Sequence, residues 1–549
     1  MKDLIFRAAW IAAAAVMFCD RAAPRVQDGG QDACDEPSAA YAQEGGDHAE
    51  TEVDHDKAIM DYTDAIRRNP DNAEAYVNRG IAYYYKNDYG RAVADYTEAI
   101  RLNPNDAATY NNRGAAHKDN GDYDQAIADY TEAIRLHPND AAAYTNRGAA
   151  YDEKKNYDLA IEDFTRSIGL NPNHVQVYIN RGTAYYAKKD YDRAIADYRQ
   201  AIRLNPNDAG TYNWRGDVYT GKSDYDRAIA DYDEAITLNP EYSVAYYGRG
   251  NAYYFKKDYD RAIADYNQAV TLNPEGADIY RKRGDAYFYK NDYDRAIADY
   301  NEAITLNPKF SVAYYSRGNT YFFKKDYDSA ITNYNEAIRL SPDFTEAYIN
   351  RGAAYYDKKD YDRAIADFNR AITLSPGNAN IYKRRGDTHY FKKSYDRAIA
   401  DYTEAIRLNP RLAAAYLNRG SAYYRKKDSD QAIADFTRSI ELNPKDVQAY
   451  LNRGLTYYDR RDNDRVIADF SQAIRLNPEA MTYYVRGNAY YLKKDYDRAK
   501  ADWESALRMN PNHREAKNNL EIIKEKLKNN NLEVIKENFK KGTRPNAVD

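Results

Sequence analysis

Apolar and polar positions along this chain form a pattern that returns every 34 residues. In the stretch from Ala73 to Pro104, Tyr76, Gly80 and Tyr83 stand four and three apart. Tyr89, Ala92, Val93, Tyr96, Ala99 and Ile100 then fall at i, i+3, i+4, i+7, i+10 and i+11, which is one stripe on a helix. Between the two runs lies the polar turn Lys86-Asn87-Asp88, whose aspartate is placed to cap the second helix. Pro104 lacks the amide a helix needs and forces Asn103 out of helical geometry. The spacing predicts helix, short turn, helix, stop.

The stop recurs at Pro70, Pro104, Pro138 and so on to Pro478, then after a one-residue contraction at Pro511. An Arg-Gly pair keeps the same interval from Arg79-Gly80 to Arg486-Gly487. A fixed period of this length predicts stacked copies of one unit, each touching mainly its neighbours, rather than one globular core. Glycine inside a helix costs roughly 1 kcal/mol relative to alanine. Thirteen repetitions of that cost at one place predict a close approach by a second helix.

Numbering each copy from the residue equivalent to Ala73, the recurrent set is an aromatic at position 4, Gly at 8, Tyr at 11, Ala at 20, an aromatic at 24, Ala at 27 and Pro at 32. In the first full copy these are Tyr76, Gly80, Tyr83, Ala92, Tyr96, Ala99 and Pro104. The pattern resembles the tetratricopeptide repeat. The resemblance covers thirteen copies over 71–511, with a partial copy at 56–70. It implies an all-α, right-handed superhelical solenoid of about thirteen helix-turn-helix units, closed by a capping helix at 512–528. One departure is systematic: the family usually carries leucine at position 7, and this chain carries arginine in every copy. Aspartate recurs at position 23 with nearly the same regularity, so an Arg–Asp ladder is expected along the stack. Copy eight has Asn333 there, and Arg317 is expected to be its least well paired member.

The ends differ in texture. Lys2 and Arg7 precede the apolar run Ala8 to Phe18, too short to span a bilayer but suited to a signal-peptide core, so 1–19 is expected to be a signal or other N-terminal hydrophobic segment. An acidic, Gly-rich leader at 20–55 is expected to be mostly disordered, with a degenerate helix near Ala39 to Glu50. Ala516, Leu520, Ile523 and Leu527 form the apolar stripe of the cap, and 529–549 is a tail. Both cysteines, Cys19 and Cys34, precede the repeats, leaving no disulfide framework or thiolate zinc site in the array. Leucine and phenylalanine are scarce beside 59 tyrosines, so tyrosine has to supply much of the core. A net charge of −5 without a basic stripe disfavours nucleic acid. No histidine spacing suggests a metal site, and no phosphate loop or nucleophile elbow occurs. The reading is therefore non-enzymatic, without cofactor.

Candidate ligand residues follow from helix geometry. Positions 2, 5, 6, 9, 12 and 13 of each first helix lie opposite positions 4, 8 and 11, and the resemblance implies that this second face lines an inner groove. Position 12 is aromatic in most copies, from Tyr84 to Tyr491, with packing and groove exposure both open. At position 13, Tyr85, Phe255, Tyr289, Phe323 and Phe391 are expected in the groove. Asn78, Asn112, Asn146, Asn180 and Asn350 at position 6 offer donor and acceptor to an extended peptide, or else cap a neighbour's backbone. Arg281, Lys282, Lys383 and Arg384 stand among Tyr247, Tyr315 and the position-13 rings, facing either an acidic ligand or their own Asp285 and Asp387 four residues on. Together these predict a scaffold that binds a protein or peptide segment, in a periplasmic or secreted setting. Self-association as a structural protein of the cell envelope is the alternative, and carbohydrate binding a third possibility.

Overall fold

The structure, a computed structural model, describes residues 54–526. The hydrophobic segment 1–19, the leader up to residue 53 with its proposed helix near Ala39 to Glu50, Leu527 and the tail 529–549 lie outside the described residues. Helices pair as the spacing predicts: up to residue 256, Ala73–Tyr85 with Tyr89–Leu102 and on to Ala209–Gly221 with Tyr225–Leu238, and beyond it Ala277–Tyr289 with Tyr293–Leu306 and on to Ala480–Leu492 with Tyr496–Met509. Among the described residues one helix, His55–Arg68, precedes the pairs, and a helical segment at 514–526 follows them. The chain divides into two units, 1–256 and 257–549. Within each, a first helix packs on its own second helix and on the hairpin before it. Among the described residues no helix is long and apolar enough to cross a membrane, and no group of His, Cys, Asp or Glu gathers to hold a metal.

The turn between paired helices is fixed by backbone hydrogen bonds and one cap. The Asn87 amide donates to the Tyr84 carbonyl at 2.8 Å and the Asp88 amide to that of Tyr83 at 2.9 Å. The Asp88 carboxylate then accepts the Arg91 amide at 3.2 Å. The residue at position 15 is left-handed, with glycine there only in copy two (Gly121, φ 85°); elsewhere Asn, Lys, Ser or Arg occupies it at φ 57–64°.

The recurrent glycine lies against an aromatic ring of its own copy. A Cβ on Gly80 would come within 2.8 Å of Tyr96 Cε1, and one on Gly487 within 2.7 Å of Trp503 Nε1. The rings at position 24 are almost wholly buried between alanines, as Tyr96 is with Ala92 and Ala99. Glycine at 8 thus lets a large ring enter where two backbones approach. At the C-terminal end Ala516, Leu520 and Ile523 bury against Ala499, Trp503 and Ala506.

Candidate functional site

The first helices are held in register by position 7. Eleven of the arginines donate twice, through Nε and Nη2, to the position-23 aspartate of their own copy at 2.5–3.0 Å. Such paired, charge-assisted contacts fix orientation as well as energy. A third arm reaches back one copy: Arg113 Nη1 donates to Thr97 Oγ1 at 3.1 Å, and Arg351 Nη1 to Asn335 Oδ1 at 2.6 Å. Arg317 has a single bond to Asn333, at 2.7 Å. The Asp299 bond holds Arg283 above the ordinary arginine range despite burial, whereas burial pulls Arg317 below it. A second ladder on the exposed side links copies, as in Lys188 to Asp158 and Lys358 to Asp328. Its members sit 30 residues apart, and only the packing of adjacent copies shows that they meet.

Two of the candidate asparagines, Asn146 and Asn350, are engaged by a neighbouring copy. Asn112 and Asn146 are buried, and the Asn146 amide donates to Asn111 Oδ1 at 3.2 Å. Asn350 Nδ2 bridges the Tyr315 hydroxyl and Asn319 Oδ1, both at 2.9 Å. Asn180 accepts from Gln176 at 2.8 Å, and Asn78 is half-buried. Asn146 and Asn350 thus join adjacent first helices through side chains, Asn180 bonds within its own helix, and Asn112 Oδ1 is buried without a partner.

Within each unit, rings at positions 12, 13 and 17 meet beside the turns in an aromatic ladder. Phe255 stacks on Tyr225 and Tyr289 on Tyr259, each at 5.5 Å between centroids. Phe323 meets Phe288 edge-on at 5.1 Å, and Phe391 meets Tyr356 at 5.6 Å. Position-12 rings also pack on position 17 of their own copy, as Tyr356 does on Tyr361 at 5.9 Å. Most position-12 rings are half-buried, so they are shared between packing and surface. At position 13, Tyr85 and Phe391 keep 48% and 44% of their surface exposed, while Phe255, Tyr289 and Phe323 are half-buried.

The central cations are drawn inward. Arg281, 8% exposed, pairs with Asp278 at 2.7 Å and Asp285 at 2.8 Å. Lys383 pairs with Asp387 at 2.7 Å. Lys282 and Arg384 are half-buried, and burial pulls the Arg384 guanidinium below its ordinary range. Tyr247 is half-buried. Tyr315, 7% exposed, is tilted against Phe344 at 4.8 Å. Position 5, assigned by helix geometry to the ligand side, is mostly covered by adjacent first helices.

Position 9 is the feature that the sequence reading passed over. The Tyr232 hydroxyl donates to Asp217 at 2.7 Å, and the Tyr300 and Tyr402 hydroxyls donate to Asp285 and Asp387 at 2.8 Å. The available signal was variation: position 9 changes from copy to copy beside a glycine that does not. Burial pushes the Asp217 carboxyl up to about 6, partly opposed by the Tyr232 bond.

Helical hairpins repeated at this interval define an all-α repeat protein. Tetratricopeptide repeat models match 73–106, 345–378, 413–446 and 480–513, and also 111–175 and 447–479. A TPR repeat model matches 182–222, 216–257, 250–288, 284–324, 318–359 and 386–427. These matches tile most of the sequence, and the chain belongs to the tetratricopeptide repeat family. A search of curated proteins finds no significant match. Among solved structures the chain is similar to the APC/C hetero-tetramer Cut9–Hcn1, with 15% identity, 85% of this chain and 98% of that one covered, and a TM-score of 0.39. It is also similar to yeast Tom70 (18% identity, 80% and 97% covered, TM-score 0.36). A third is a tetratricopeptide repeat protein from Parabacteroides merdae (22% identity, 45% and 98% covered, TM-score 0.38).

Proposed function

We propose that the chain is a non-enzymatic scaffold that holds a peptide or partner segment along the first-helix face, anchored by the aromatic ladder. The observation that carries this reading is one open ring in each unit: Tyr85 in the first and Phe391 in the second keep nearly half their surface exposed. Phe391 is braced edge-on by Tyr356, and Tyr85 is stacked on His55 at 5.3 Å. A braced ring with one open face gives contact area at little entropic cost, as in interface hot spots. The apolar run Ala8 to Phe18 favours an envelope or secreted setting.

The test is a combined Phe255→Ala, Phe323→Ala and Phe391→Ala variant. Partners captured from the native host by the wild-type chain are expected to be lost by the variant, with its far-ultraviolet circular dichroism unchanged. Undiminished capture by a folded triple variant removes the aromatic-ladder reading. The position-13 rings support this proposal over end-to-end assembly; a concentration series in light scattering that shows growing particles reverses that order.

A further inference from the structure

Three copies place aspartate at position 9, and two of them neutralise it. In copy seven Arg281 pairs with Asp285 at 2.8 Å, and in copy ten Lys383 pairs with Asp387 at 2.7 Å. Asp387 also receives the Asn418 amide of the following copy at 2.7 Å, across 31 residues. Copy five has neither device. Position 5 is Asn213, whose amide reaches Asp217 at 3.3 Å, and the residue 31 places after Asp217 is Gly248, without a side chain to offer. Asp217 is half-buried and has two donors, Tyr232 and Asn213, and no ion pair. A carboxylate has about four acceptor sites. Beside it, Asn213 is 2% exposed and its Oδ1 lacks a partner. Acceptors are therefore in excess at this point on the face.

The same copy carries Trp214 at position 6, where the others have Asn, Gly, Lys, Ser, Arg or Val. The indole is 37% exposed and stacks on Tyr198 with centroids 6.4 Å apart at 27°. Trp214 and Asp217 are three residues apart, neighbours on one helix face. Tyr232, which donates to Asp217, is held against Gly248: a Cβ there would lie 2.6 Å from Tyr232 Cε1. A side chain at 248 would displace that ring and its hydroxyl.

We propose that Trp214 and Asp217 form an anchor for a lysine or arginine side chain of a bound peptide segment. An ammonium or guanidinium group gives the carboxylate the counter-charge that copies seven and ten supply internally, and the indole face attracts the same cation. The proposal rests on the reading that the first-helix face takes a peptide, and names the chemistry of one subsite on it.

The probes are two fluorescein-labelled peptides of Gly, Ser and Tyr with lysine at every third position, one free and one with each lysine acetylated. Binding is read by fluorescence anisotropy on the full chain. The wild type is expected to prefer the free-lysine peptide by about tenfold, the scale of a desolvated charge contact. Asp217→Asn is expected to reduce that preference to within about twofold, and Trp214→Ala to weaken binding of the free-lysine peptide by several-fold. Glu241→Gln, the same charge change at an exposed site, is expected to leave the preference intact. A preference that survives Asp217→Asn, or that falls equally with Glu241→Gln, overturns the proposal, as does a wild type that binds both peptides alike or neither. Equal binding of both peptides that is lost in the triple Phe variant leaves the aromatic reading standing while the anchor falls. A preference dependent on Asp217 but untouched in that variant does the reverse.

Discussion

Replacing Asn333 with aspartate should complete the rung of the arginine ladder at copy eight, the copy in which position 23 is not aspartate. Arg317 donates through Nε to Asn333 at 2.7 Å and through Nη1 to Asn301 at 2.5 Å. In copies seven and nine, Nη2 of Arg283 and Arg351 makes a further bond to the carboxylate, at 2.6 Å in each. The change Asn333→Asp adds that bond and turns a neutral acceptor into a charged one. Hydrogen bonds to charged groups contribute about 1.5–3 kcal/mol. Burying another carboxylate offsets part of this, and Asn333 also gives up its bond to the Ser329 carbonyl at 2.8 Å. The expected net gain is about 1–2 kcal/mol. The reciprocal change, Asp367→Asn in copy nine, should cost a similar amount.

Stability in a stacked array is a sum of unit and nearest-neighbour contributions, so the effect should be local. Hydrogen exchange across 311–340 should slow in Asn333→Asp, with little change beyond the adjoining copies. The urea midpoint should rise if copy eight takes part in the main transition. Unchanged or faster exchange there, with Arg317 shown to pair twice, would refute the claim that the second bond stabilises the hairpin.

Three other changes probe separate contacts. Asp217, pushed up to about 6 from an ordinary value near 4, binds its proton more tightly folded than unfolded. Its contribution therefore falls as pH rises from about 4 through 6, by at most about 3 kcal/mol and less with its partial solvent access; Asp217→Asn should gain on the wild type over that window in urea titrations, and a difference independent of pH contradicts the assignment. Tyr402→Phe should lose about 1 kcal/mol with its bond to Asp387, while Tyr96→Phe should be neutral or stabilising because the Tyr96 hydroxyl is buried without a partner; equal losses in thermal melts would refute this contrast. Residues 411–478 should exchange first, since Ser429 and Asn463 replace the position-17 tyrosine and Asn463 Oδ1 is buried unpaired; slowest exchange there argues against it.

The hairpin was legible because its causes are local. The apolar stripe, the capping aspartate and the proline stop each act within a few residues, and they give the helix pairs directly. The position-7 and position-23 partners were legible for a different reason: two opposite charges that recur in step are required to be in phase in every copy. Less was readable where one copy covers another. Helical spacing puts position 5 on the ligand side of an isolated helix, but the next first helix leans over it, leaving Arg281 and Tyr315 buried. The same contact takes the amides of Asn146 and Asn350. The left-handed turn residue was hidden too, because lysine at position 15 gives no sign of the conformation that glycine at Gly121 would suggest.

Comparing copies supplies what a single hairpin withholds. At position 24 the ring carries a hydroxyl or an indole N–H where position 9 can accept it: Tyr198 with Thr183, Tyr232 with Asp217, Tyr300 with Asp285, Tyr334 with Asn319, Tyr402 with Asp387 and Trp503 with Asn488. Where position 9 is Ala149, Ala353 or Leu455, the ring is Phe164, Phe368 or Phe470, whereas Ile81 and Ala115 stand with Tyr96 and Tyr130, and Ser421 with Phe436. Matching a buried polar group to its acceptor avoids a desolvation cost of about 1–3 kcal/mol, and in these nine copies the two positions fifteen residues apart change together; copies one, two and eleven do not follow it. Position 9 therefore answers first to the ring beneath it. Only a position-9 group with acceptor capacity left after that bond, and without the internal cation, is available to a ligand. Among the three aspartates that condition is met at Asp217, and the copy that carries it also carries the exposed indole of Trp214.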